Sequence, residues 1–288
     1  MGLTIRVVDA TPDFSGFSSV YLVSGERSSA LIDSGPSNGW RKVFDYVKSL
    51  GVKVDYIILT HVHIDHGGAS GLLSRELDSI VIVHPRGARH IIDPSVLWEQ
   101  SKQALGPVAD YYGKPTSVEE SRVRVASDGD IIDLGGVRLK LIFTPGHASH
   151  HLSVYVENEG LMFTGDSAGV FVDLSVRVPT TPPPFKPKLY LESIEKMIRE
   201  NPRRVALAHY GLVDIGVEYL KWHAREITLW LDEISRMISG GLTDPIEIAE
   251  RLAGKLENAR IARSSRIAHL YYNTIVGLTR AVLDGEWS

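Results

Sequence analysis

Thr60-His61-Val62-His63-Ile64-Asp65-His66-Gly67-Gly68 is the stretch of sequence that decides the fold. It places four side chains of the metal-binding type within six positions, directly after the apolar run Tyr56–Leu59. Residues two apart in an extended segment point to the same side, so His61 and His63 can face one ion. The next two ligand-type residues follow as the chain turns, and the paired glycines allow a tight backbone path.

Three more residues of this type occur downstream, each after an apolar strand-like run and near a glycine. His147 ends Thr144-Pro145-Gly146-His147, Asp166 ends Thr164-Gly165-Asp166, and His209 lies in Ala208-His209-Tyr210-Gly211. A histidine-rich surface loop would explain the first motif alone, but it does not explain the repeated context. One edge of a sheet can present all these side chains, and imidazole and carboxylate groups suit zinc, iron or manganese.

The composition is that of an ordinary globular protein and excludes several classes of site and partner. A formal net charge of −4 gives no sign of a nucleic-acid partner or an anionic membrane. The absence of cysteine excludes disulfides, thiolate metal sites and a cysteine nucleophile. The N-terminal residues lack the pattern of a secretory signal, and no apolar run is long enough to span a membrane. We therefore expect a cytoplasmic protein.

The first two thirds of the chain predict a layered α/β domain, because strand-like runs alternate with helical segments. Asn38–Leu50 and Leu189–Arg199 are predicted as helices, and Asp93–Glu120 and Asp173–Lys188 as irregular segments. The predicted strands are Ile5–Val8, Val20–Ser24, Ser29–Ile32, Tyr56–Leu59, Ile80–Val83, Arg122–Val125, Ile131–Leu134, Val137–Phe143, Leu152–Val156, Leu161–Phe163 and Arg204–Ala208.

From Gly216 onward the sequence predicts helices only, so we divide the chain into a catalytic domain at 1–215 and a helical subdomain at 216–288. Apolar residues spaced three and four apart run from Val217 to Ile238 and indicate one long helix. Asp244 followed by Pro245 marks the start of a second helix. A last helix is predicted at roughly 264–283.

The combined motifs resemble the metallo-β-lactamase-fold hydrolase superfamily, in particular its glyoxalase-II-like and lactonase-like members. The resemblance covers about residues 5–215 and includes the motif at 60–68, the two segments that end in His147 and Asp166, and the strand-end His209. It implies a four-layer αβ/βα sandwich with metals bound at one edge between the two sheets, followed here by the helical subdomain.

The resemblance also implies roles for individual residues. His61, His63 and His147 would hold one metal, while Asp65, His66 and His209 would hold a second, and Asp166 would bridge both. The expected cofactors are two divalent ions, zinc in the first place and iron or manganese as alternatives. A hydroxide between two such ions hydrolyses an acyl bond, so a small ester, thioester or lactone is the expected substrate. Asp65 is also expected to act in catalysis by passing on a proton.

Two departures from the family argue against transferring a particular substrate. The tyrosine that related lactonases carry shortly after the bridging aspartate is missing, because Ser167-Ala168-Gly169-Val170 follow Asp166. The basic residues that glyoxalase II uses for glutathione cannot be matched to the helical tail. A mononuclear iron enzyme like the persulfide dioxygenases stays an alternative, as does a nucleic-acid-processing member. The short stretch between Asp166 and His209 leaves no room for the inserted domain of the nucleases.

The remaining histidines have weaker assignments. His150 and His151 have two possible roles. Either one of them supports a metal ligand through a hydrogen bond, or both are ordinary residues at the end of a strand. His84 could also line the site. Structural or surface roles are predicted for three others, which are His90, His223 and His269.

Three further features also allow two readings. Asp33 either orients a ligand histidine or caps a turn. The segment with Trp98, Tyr111 and Tyr112 forms either a lid or a packed loop, and the proline-rich segment with Phe171, Phe185 and Tyr190 forms either a pocket wall or a connector.

The helical tail is expected to form a homodimer interface or to cover part of the pocket. Trp222 and Trp230 lie off the apolar seam of the first tail helix and predict a second apolar surface. A symmetric neighbour would cover that surface, and the alternative is that the later helices of the same chain do so.

Overall fold

The structure is a computed structural model that describes residues 4–11, 17–173, 176–209, 211–265 and 267–287. Two mixed β-sheets of six strands each form its centre. The first sheet contains β1 (Thr4–Asp9), β2 (Ser19–Ser24), β3 (Ser29–Ile32), β4 (Tyr56–Ile58), β5 (Ile80–Val83) and β6 (Val123–Val125). These strands lie in sequence order, antiparallel from β1 to β3 and parallel from β3 to β6.

The second sheet has the strand order β14-β13-β10-β9-β8-β7, where the strands are β7 (Ile131–Asp133), β8 (Arg138–Phe143), β9 (Leu152–Val156), β10 (Leu161–Gly165), β13 (Arg204–Leu207) and β14 (Gly211–Val213). Its pairs are antiparallel except for β10 and β13, which run parallel. A separate hairpin is formed by β11 (Val170–Asp173) and β12 (Val176–Val178).

Ten α-helices are present in the described residues. They are α1 (Trp40–Ser49), α2 (Ser70–Leu77), α3 (Pro85–Ile92), α4 (Ser95–Leu105), α5 (Pro107–Tyr112), α6 (Pro187–Arg199), α7 (Gly216–Ser239), α8 (Pro245–Lys255), α9 (Glu257–Arg263) and α10 (Ala268–Leu283). Helices α1 to α3 pack on the first sheet, and α6 and α7 pack on the second.

The layers arise because successive side chains of a strand enter different cores. In β2, Tyr21 and Val23 enter a core shared by the two sheets, whereas Val20 and Leu22 enter the core under the helices. Because successive side chains of a strand point to opposite faces, each sheet is buried on both sides. The result is an α/β sandwich of four layers, in the order helices, sheet, sheet and helices, as the sequence predicts.

The prediction of an irregular segment at Asp93–Glu120 is wrong, because α4 and α5 occupy most of it. These helices were not predicted because prolines in the segment indicate irregular structure. Pro94 precedes the first residue of α4, and Pro107 is the first residue of α5, where the missing N–H of proline costs nothing. Gly106, with φ +56°, separates the two helices. The prediction of an irregular segment at Asp173–Lys188 is confirmed only for Pro179–Lys186, because β12 occupies Val176–Val178 and α6 begins at Pro187.

The described residues after Gly216 are helical apart from their connections. The start predicted at Asp244 is confirmed, since its carboxylate accepts a hydrogen bond from the Glu247 N–H at 2.8 Å. The last helix begins at Ala268, later than the predicted residue 264. The division at 215/216 stays a prediction.

No helix in the described ranges combines the length and the apolar character that crossing a membrane requires.

The two tail tryptophans are covered within the chain to different degrees. Trp230 is fully buried, its ring centroid lies 5.7 Å from that of Tyr271 in α10, and its indole N–H donates to Glu226. Trp222 is half-buried under the Arg177 guanidinium, which lies 4.1 Å from the ring centroid. Trp230 therefore needs no neighbouring subunit, and the homodimer stays a prediction without this part of its support.

Candidate metal centre

The structure brings the predicted site residues together at one edge of the two sheets. The ligand-type atoms of the seven residues form three overlapping groups, and within each group they lie within 4.8 Å of one another. The groups are His61, His63 and His147, then His61, His66 and Asp166, and finally Asp65, His66 and His209. Each residue follows the end of a strand, β4, β8, β10 or β13, which explains why distant segments of sequence converge here.

Three imidazole nitrogens face one another in the first group. His63 Nδ1 lies 3.0 Å from His61 Nε2 and 3.2 Å from His147 Nε2. Two nitrogen ligands of a tetrahedral zinc ion lie about 3.3 Å apart, given bonds of about 2.0–2.1 Å. Burial lowers the pKa of all three histidines and so favours the neutral imidazole, which is the form that binds a metal ion. The arrangement fits one divalent cation.

Asp166 lies between this group and a second one. Its Oδ2 is 3.5 Å from His147 Nε2, while its Oδ1 is 3.4 Å from His66 Nε2 and 3.5 Å from His209 Nε2. Asp65 completes the second group, with Oδ2 3.5 Å from His66 Nε2 and 3.9 Å from His209 Nε2. One carboxylate oxygen of Asp166 thus faces each group, which is the geometry of a bridging ligand.

The electrostatics of the second group favour a bound positive charge. Burial lowers the pKa of His66, but the carboxylates of Asp65 and Asp166 outweigh burial and raise that pKa to about 10. Burial likewise raises the pKa of Asp166, but His66, His147 and His209 outweigh it and hold the pKa well below its usual value. A proton on His66 or a divalent ion among these side chains would satisfy the same charge requirement.

Two buried side-chain atoms of the centre, His66 Nε2 and Asp166 Oδ1, have no hydrogen-bond partner among the described residues. Leaving a buried polar atom without a partner costs about 1–3 kcal/mol, so such pairs of orphaned atoms are rare in a folded core. Both atoms belong to the donor set predicted from the sequence, and a cation coordinated by them would satisfy both. The residues present therefore fit bound divalent metal ions.

Hydrogen bonds on the opposite ring nitrogen orient three of the histidines, two of them through backbone carbonyls. Nδ1 of His147 lies 2.7 Å from the carbonyl oxygen of Thr180, and Nδ1 of His209 lies 2.7 Å from that of Phe17. A carbonyl only accepts, so each Nδ1 carries the proton and each Nε2 presents its lone pair to the centre. Second hydrogen bonds of this kind fix the ring orientation and raise the basicity of metal-binding histidines.

Asp33 orients the third histidine, His66, which is the first of the two roles expected for it. Its carboxylate accepts hydrogen bonds from His66 Nδ1 at 3.0 Å and from the backbone N–H of Thr60 at 2.7 Å. The backbone of Asp33 is left-handed, with φ +62°, a conformation that aspartate and asparagine tolerate better than most residues. This carboxylate therefore fixes both the start of the 60–68 motif and one of its ligands.

His151 supports Asp166 through the backbone, whereas His150 lines the cavity described below. The Asp166 N–H donates to His151 Nε2 at 3.1 Å, and Thr144 Oγ1 lies 2.8 Å from His151 Nδ1. Gly165 makes this approach feasible, because with φ +51° it would place a Cβ only 2.5 Å from His151 Nε2. The glycine before Asp166 is thus required by both conformation and space.

A hydrogen-bond chain that the sequence does not predict runs from the helical tail to Asp166. The Tyr190 hydroxyl of α6 donates to the Asp166 carbonyl at 3.0 Å, and His223 Nε2 of α7 lies 2.8 Å from the same hydroxyl. Since the hydroxyl hydrogen is used on Asp166, His223 donates to Tyr190. His223 is structural, as predicted, but it acts next to the site. The only available signal was the place of both residues on helices, which does not reveal this contact.

A large cavity of about 1290 Å³ opens at the metal centre. Residues of the lid segment α4 and α5, of the proline-rich segment and of tail helices α8 and α10 line it. Both segments with two possible roles therefore contribute to the lining, but of the six aromatic residues named for them only Tyr112 lines the cavity. The tail covers part of the pocket, as expected. His84 does not line it and packs instead on Phe143, with ring centroids 4.2 Å apart. His90 and His269, predicted as structural or surface residues, lie on its lining.

Tyr112 at the end of α5 lines the same cavity as the metal centre. It is 5% exposed, lines the cavity with Asp65 and Asp166, and its hydroxyl has no hydrogen-bond partner among the described residues. Burial and the nearby Asp65 carboxylate raise its pKa, so the phenol keeps its proton. Asn38 holds this end of α5, since its side-chain amide donates to the carbonyls of Asp110 and Tyr111.

Comparisons with known proteins identify the family of the chain. A family model described as the metallo-beta-lactamase superfamily matches residues 14–209. The chain is 37% identical to the metallo-beta-lactamase fold-containing protein ST1585 of Sulfurisphaera tokodaii over 215 residues, which are 73% of this chain and 79% of that protein. It is 26% identical to the probable metallo-hydrolase YqgX of Bacillus subtilis over 51% of this chain and 64% of that protein.

Solved structures give the same result. The crystal structure of ST1585 from Sulfolobus tokodaii superposes with a TM-score of 0.74 at 28% identity, covering 97% of this chain and 98% of that one. TTHA1429 from Thermus thermophilus, a metallo-beta-lactamase family protein, shares the fold with a TM-score of 0.71 at 20% identity, over 99% and 94% of the two chains. The predicted resemblance is confirmed at the level of the superfamily, and the glyoxalase-II-like branch stays a prediction. The chain belongs to the metallo-beta-lactamase superfamily.

Proposed function

We propose that this chain is a dinuclear metal-dependent hydrolase of an ester, thioester or lactone. The observation that carries the proposal is the position of Asp166, whose two oxygens face two different groups of candidate ligands at 3.4–3.5 Å. Divalent ions held in this way supply Lewis-acid chemistry and lower the pKa of water. His61, His63 and His147 would hold one ion, while Asp65, His66 and His209 would hold the other.

Asp65 is the ligand-type residue best placed to move a proton. Its side chain is 19% exposed and lines the cavity, whereas the side chains of Asp166 and His66 are 3% and 2% exposed. A carboxylate that borders both the centre and the cavity can accept a proton at one oxygen and release it to the leaving group. Asp166, enclosed by three histidines, holds position instead.

Tyr112 supplies the polar contact that the lactonase-type tyrosine would have made. Its hydroxyl is a hydrogen-bond donor without a protein partner among the described residues, and it faces the same cavity as Asp65. In the proposed reaction this hydroxyl donates to the carbonyl oxygen of the substrate and orients the acyl group. The donor therefore comes from the lid helix α5 and not from the segment that follows Asp166.

Metal content and a substrate panel test the proposal together. The chain as purified is expected to hold two ions by elemental analysis, and the zinc-loaded chain is expected to hydrolyse at least one class in a panel of thioesters, lactones and esters. Removal of the ions with a chelator is expected to abolish turnover, and added zinc to restore it. A single iron per chain, with oxygen consumption on a persulfide and no hydrolysis, would overturn the proposal in favour of an oxygenase.

A further inference from the structure

The cavity beside the metal centre is larger than a small ester requires. Its volume of about 1290 Å³ exceeds the roughly 300–1,000 Å³ that is typical of sites for drug-sized molecules. Helices α4 and α5, the proline-rich segment and the tail helices α8 and α10 all contribute residues to its lining. Space of this size next to the metal centre can take an extended group attached to the reacting bond.

Much of the lining is apolar, and part of it is exposed to solvent. Ile246, Leu189 and Val276 are 66%, 43% and 39% exposed, and all three line this one cavity. Exposed apolar residues that converge on one concave surface mark a place where another apolar group binds. The other aliphatic residues that the helices contribute to this lining are Leu97, Ala104, Leu105, Val108 and Leu270.

The charges on the lining are unevenly distributed. Asp65 and Asp166 are its only acidic residues within the described chain, and both belong to the metal centre. Of its two basic residues, Lys186 is paired with Glu286 at 2.5 Å, and Arg86 lies on α3. Apart from the metal centre, the walls thus offer few charged groups to a substrate and a broad apolar area.

We propose that the substrate is an ester or thioester that carries a long apolar chain, which lies between α4–α5 and α8–α10 while the carbonyl lies at the metal centre. This inference rests on the proposed function. Water supplies the hydroxyl that joins the acyl carbon, the acyl–oxygen or acyl–sulfur bond breaks, and the leaving alcohol or thiol takes up the proton. The apolar chain belongs to either the acyl or the leaving group, and the two sources are separable by experiment.

Two thioester series test the chain and its position. One series lengthens the acyl group from acetyl to decanoyl on a fixed N-acetylcysteamine thiol, and the other keeps acetyl and lengthens an alkanethiol from ethyl to octyl. Each buried methylene contributes about 0.8 kcal/mol, so kcat/KM of the zinc-loaded chain is expected to rise roughly two- to fourfold per methylene in one series. A rise with acyl length assigns the cavity to the acyl group, and a rise with thiol length assigns it to the leaving group. Flat profiles in both series would overturn the inference.

Substitutions locate the effect in the cavity. Ile246→Asp and Val276→Asp place a charge where the chain would lie, and each is expected to lower the ratio of long-chain to acetyl kcat/KM at least about tenfold. Leu229→Asp is the matched control, because Leu229 is 41% exposed on tail helix α7 but does not line the cavity. It is expected to leave the ratio unchanged. Equal ratios in all three variants would contradict the inference.

A binding measurement separates this inference from the proposed function. Calorimetric titration of the chain with 1-octanol and with 1-butanol requires no turnover. We expect saturable binding of octanol that is at least about tenfold tighter than that of butanol and is weakened by Ile246→Asp. If octanol binds in this way but no thioester is hydrolysed, the proposed function fails and the apolar site stands. If thioesters are hydrolysed but octanol does not bind, the apolar site fails.

Discussion

The metal centre and the helical tail both bury histidine side chains, but they treat the imidazole nitrogens differently. At the centre, His66 Nε2 is buried and has no hydrogen-bond partner in the described part of the chain, while His63 Nδ1 faces two other imidazole nitrogens. In the tail, His223 is equally buried, yet its Nε2 is bonded to Tyr190. A buried histidine thus indicates a ligand only where its lone pair meets other lone pairs or carboxylates instead of a protein donor.

The largest effect that this comparison predicts is at Asp166. Asp166→Ala removes the carboxylate that faces both groups, so we expect at least about a thousandfold loss of kcat/KM and loss of bound metal. Circular dichroism is expected to show an unchanged fold, because the surrounding strands do not depend on this side chain. Elemental analysis and activity on the best panel substrate would measure both effects.

Asp214→Ala is the control for Asp166→Ala, because Asp214 is an exposed aspartate close in sequence to His209. It is expected to keep full activity and full metal content. If Asp166→Ala retained two ions and the parental rate, the assignment of a bridging carboxylate would be wrong.

A smaller loss of metal affinity is expected at Asp33, which is hydrogen-bonded to a candidate ligand but is not one itself. Asp33→Asn keeps the shape and tolerates the left-handed backbone at φ +62°, but it removes the negative charge that accepts from His66. Loss of such an outer partner usually costs about 10- to 100-fold in metal affinity. Titration with a competing chelator is expected to show this loss for one of two ions, because the group of His61, His63 and His147 contains neither residue.

The complementary variant is His151→Gln, which alters the support of Asp166 without touching Asp33. If Asp33→Asn and His151→Gln both weakened the two ions equally, the separation of the centre into two groups would not hold.

The metal centre was easier to predict from the sequence than the cavity, because fewer of its contacts join residues that are far apart in sequence. Four of the seven candidate ligands lie in one short motif after β4, and the others stand at strand ends that any parallel or mixed sheet would bring together. Tyr112 lines the cavity at the end of α5, which Asn38 holds from a distant part of the sequence. The prolines of α4 and α5 concealed the helices themselves, so no local pattern could place this hydroxyl.

Tyr112→Phe sharpens the distinction between groups that hold metal and groups that hold substrate. The hydroxyl has no partner in the described part of the chain, so its removal leaves no other group unsatisfied and is expected to change neither stability nor metal content. Loss of one substrate hydrogen bond of about 1–1.5 kcal/mol corresponds to roughly a tenfold fall in kcat/KM. Tyr111→Phe is the neighbouring control, because Tyr111 does not line the cavity. Equal activity of the two variants would show that the Tyr112 hydroxyl does not bind the substrate.

The smallest effect concerns His223, and it tests the other half of the comparison. Burial lowers the pKa of His223 from 6.5 to about 3, so the folded chain keeps this imidazole neutral in a range where the unfolded chain binds a proton. A histidine whose pKa is lower in the folded than in the unfolded chain decreases the free energy of unfolding as the pH falls below its pKa in the unfolded chain. Between pH 6.5 and 5.5 the expected loss in the free energy of unfolding is about 1 kcal/mol, and above about pH 7 it vanishes.

His223→Gln isolates this contribution, because glutamine does not titrate while the other buried histidines remain in both proteins. Denaturant unfolding at pH 7.5, 6.5 and 5.5 gives the difference in free energy between parent and variant at each pH. We expect His223→Gln to be the less stable protein at pH 7.5, since glutamine fills the space beside Tyr190 less well, and the gap to narrow by about 1 kcal/mol from pH 6.5 to 5.5. A gap that stayed constant over this range would mean that His223 binds a proton equally well in the folded chain, and that the tail does not hold it as a neutral donor to Tyr190.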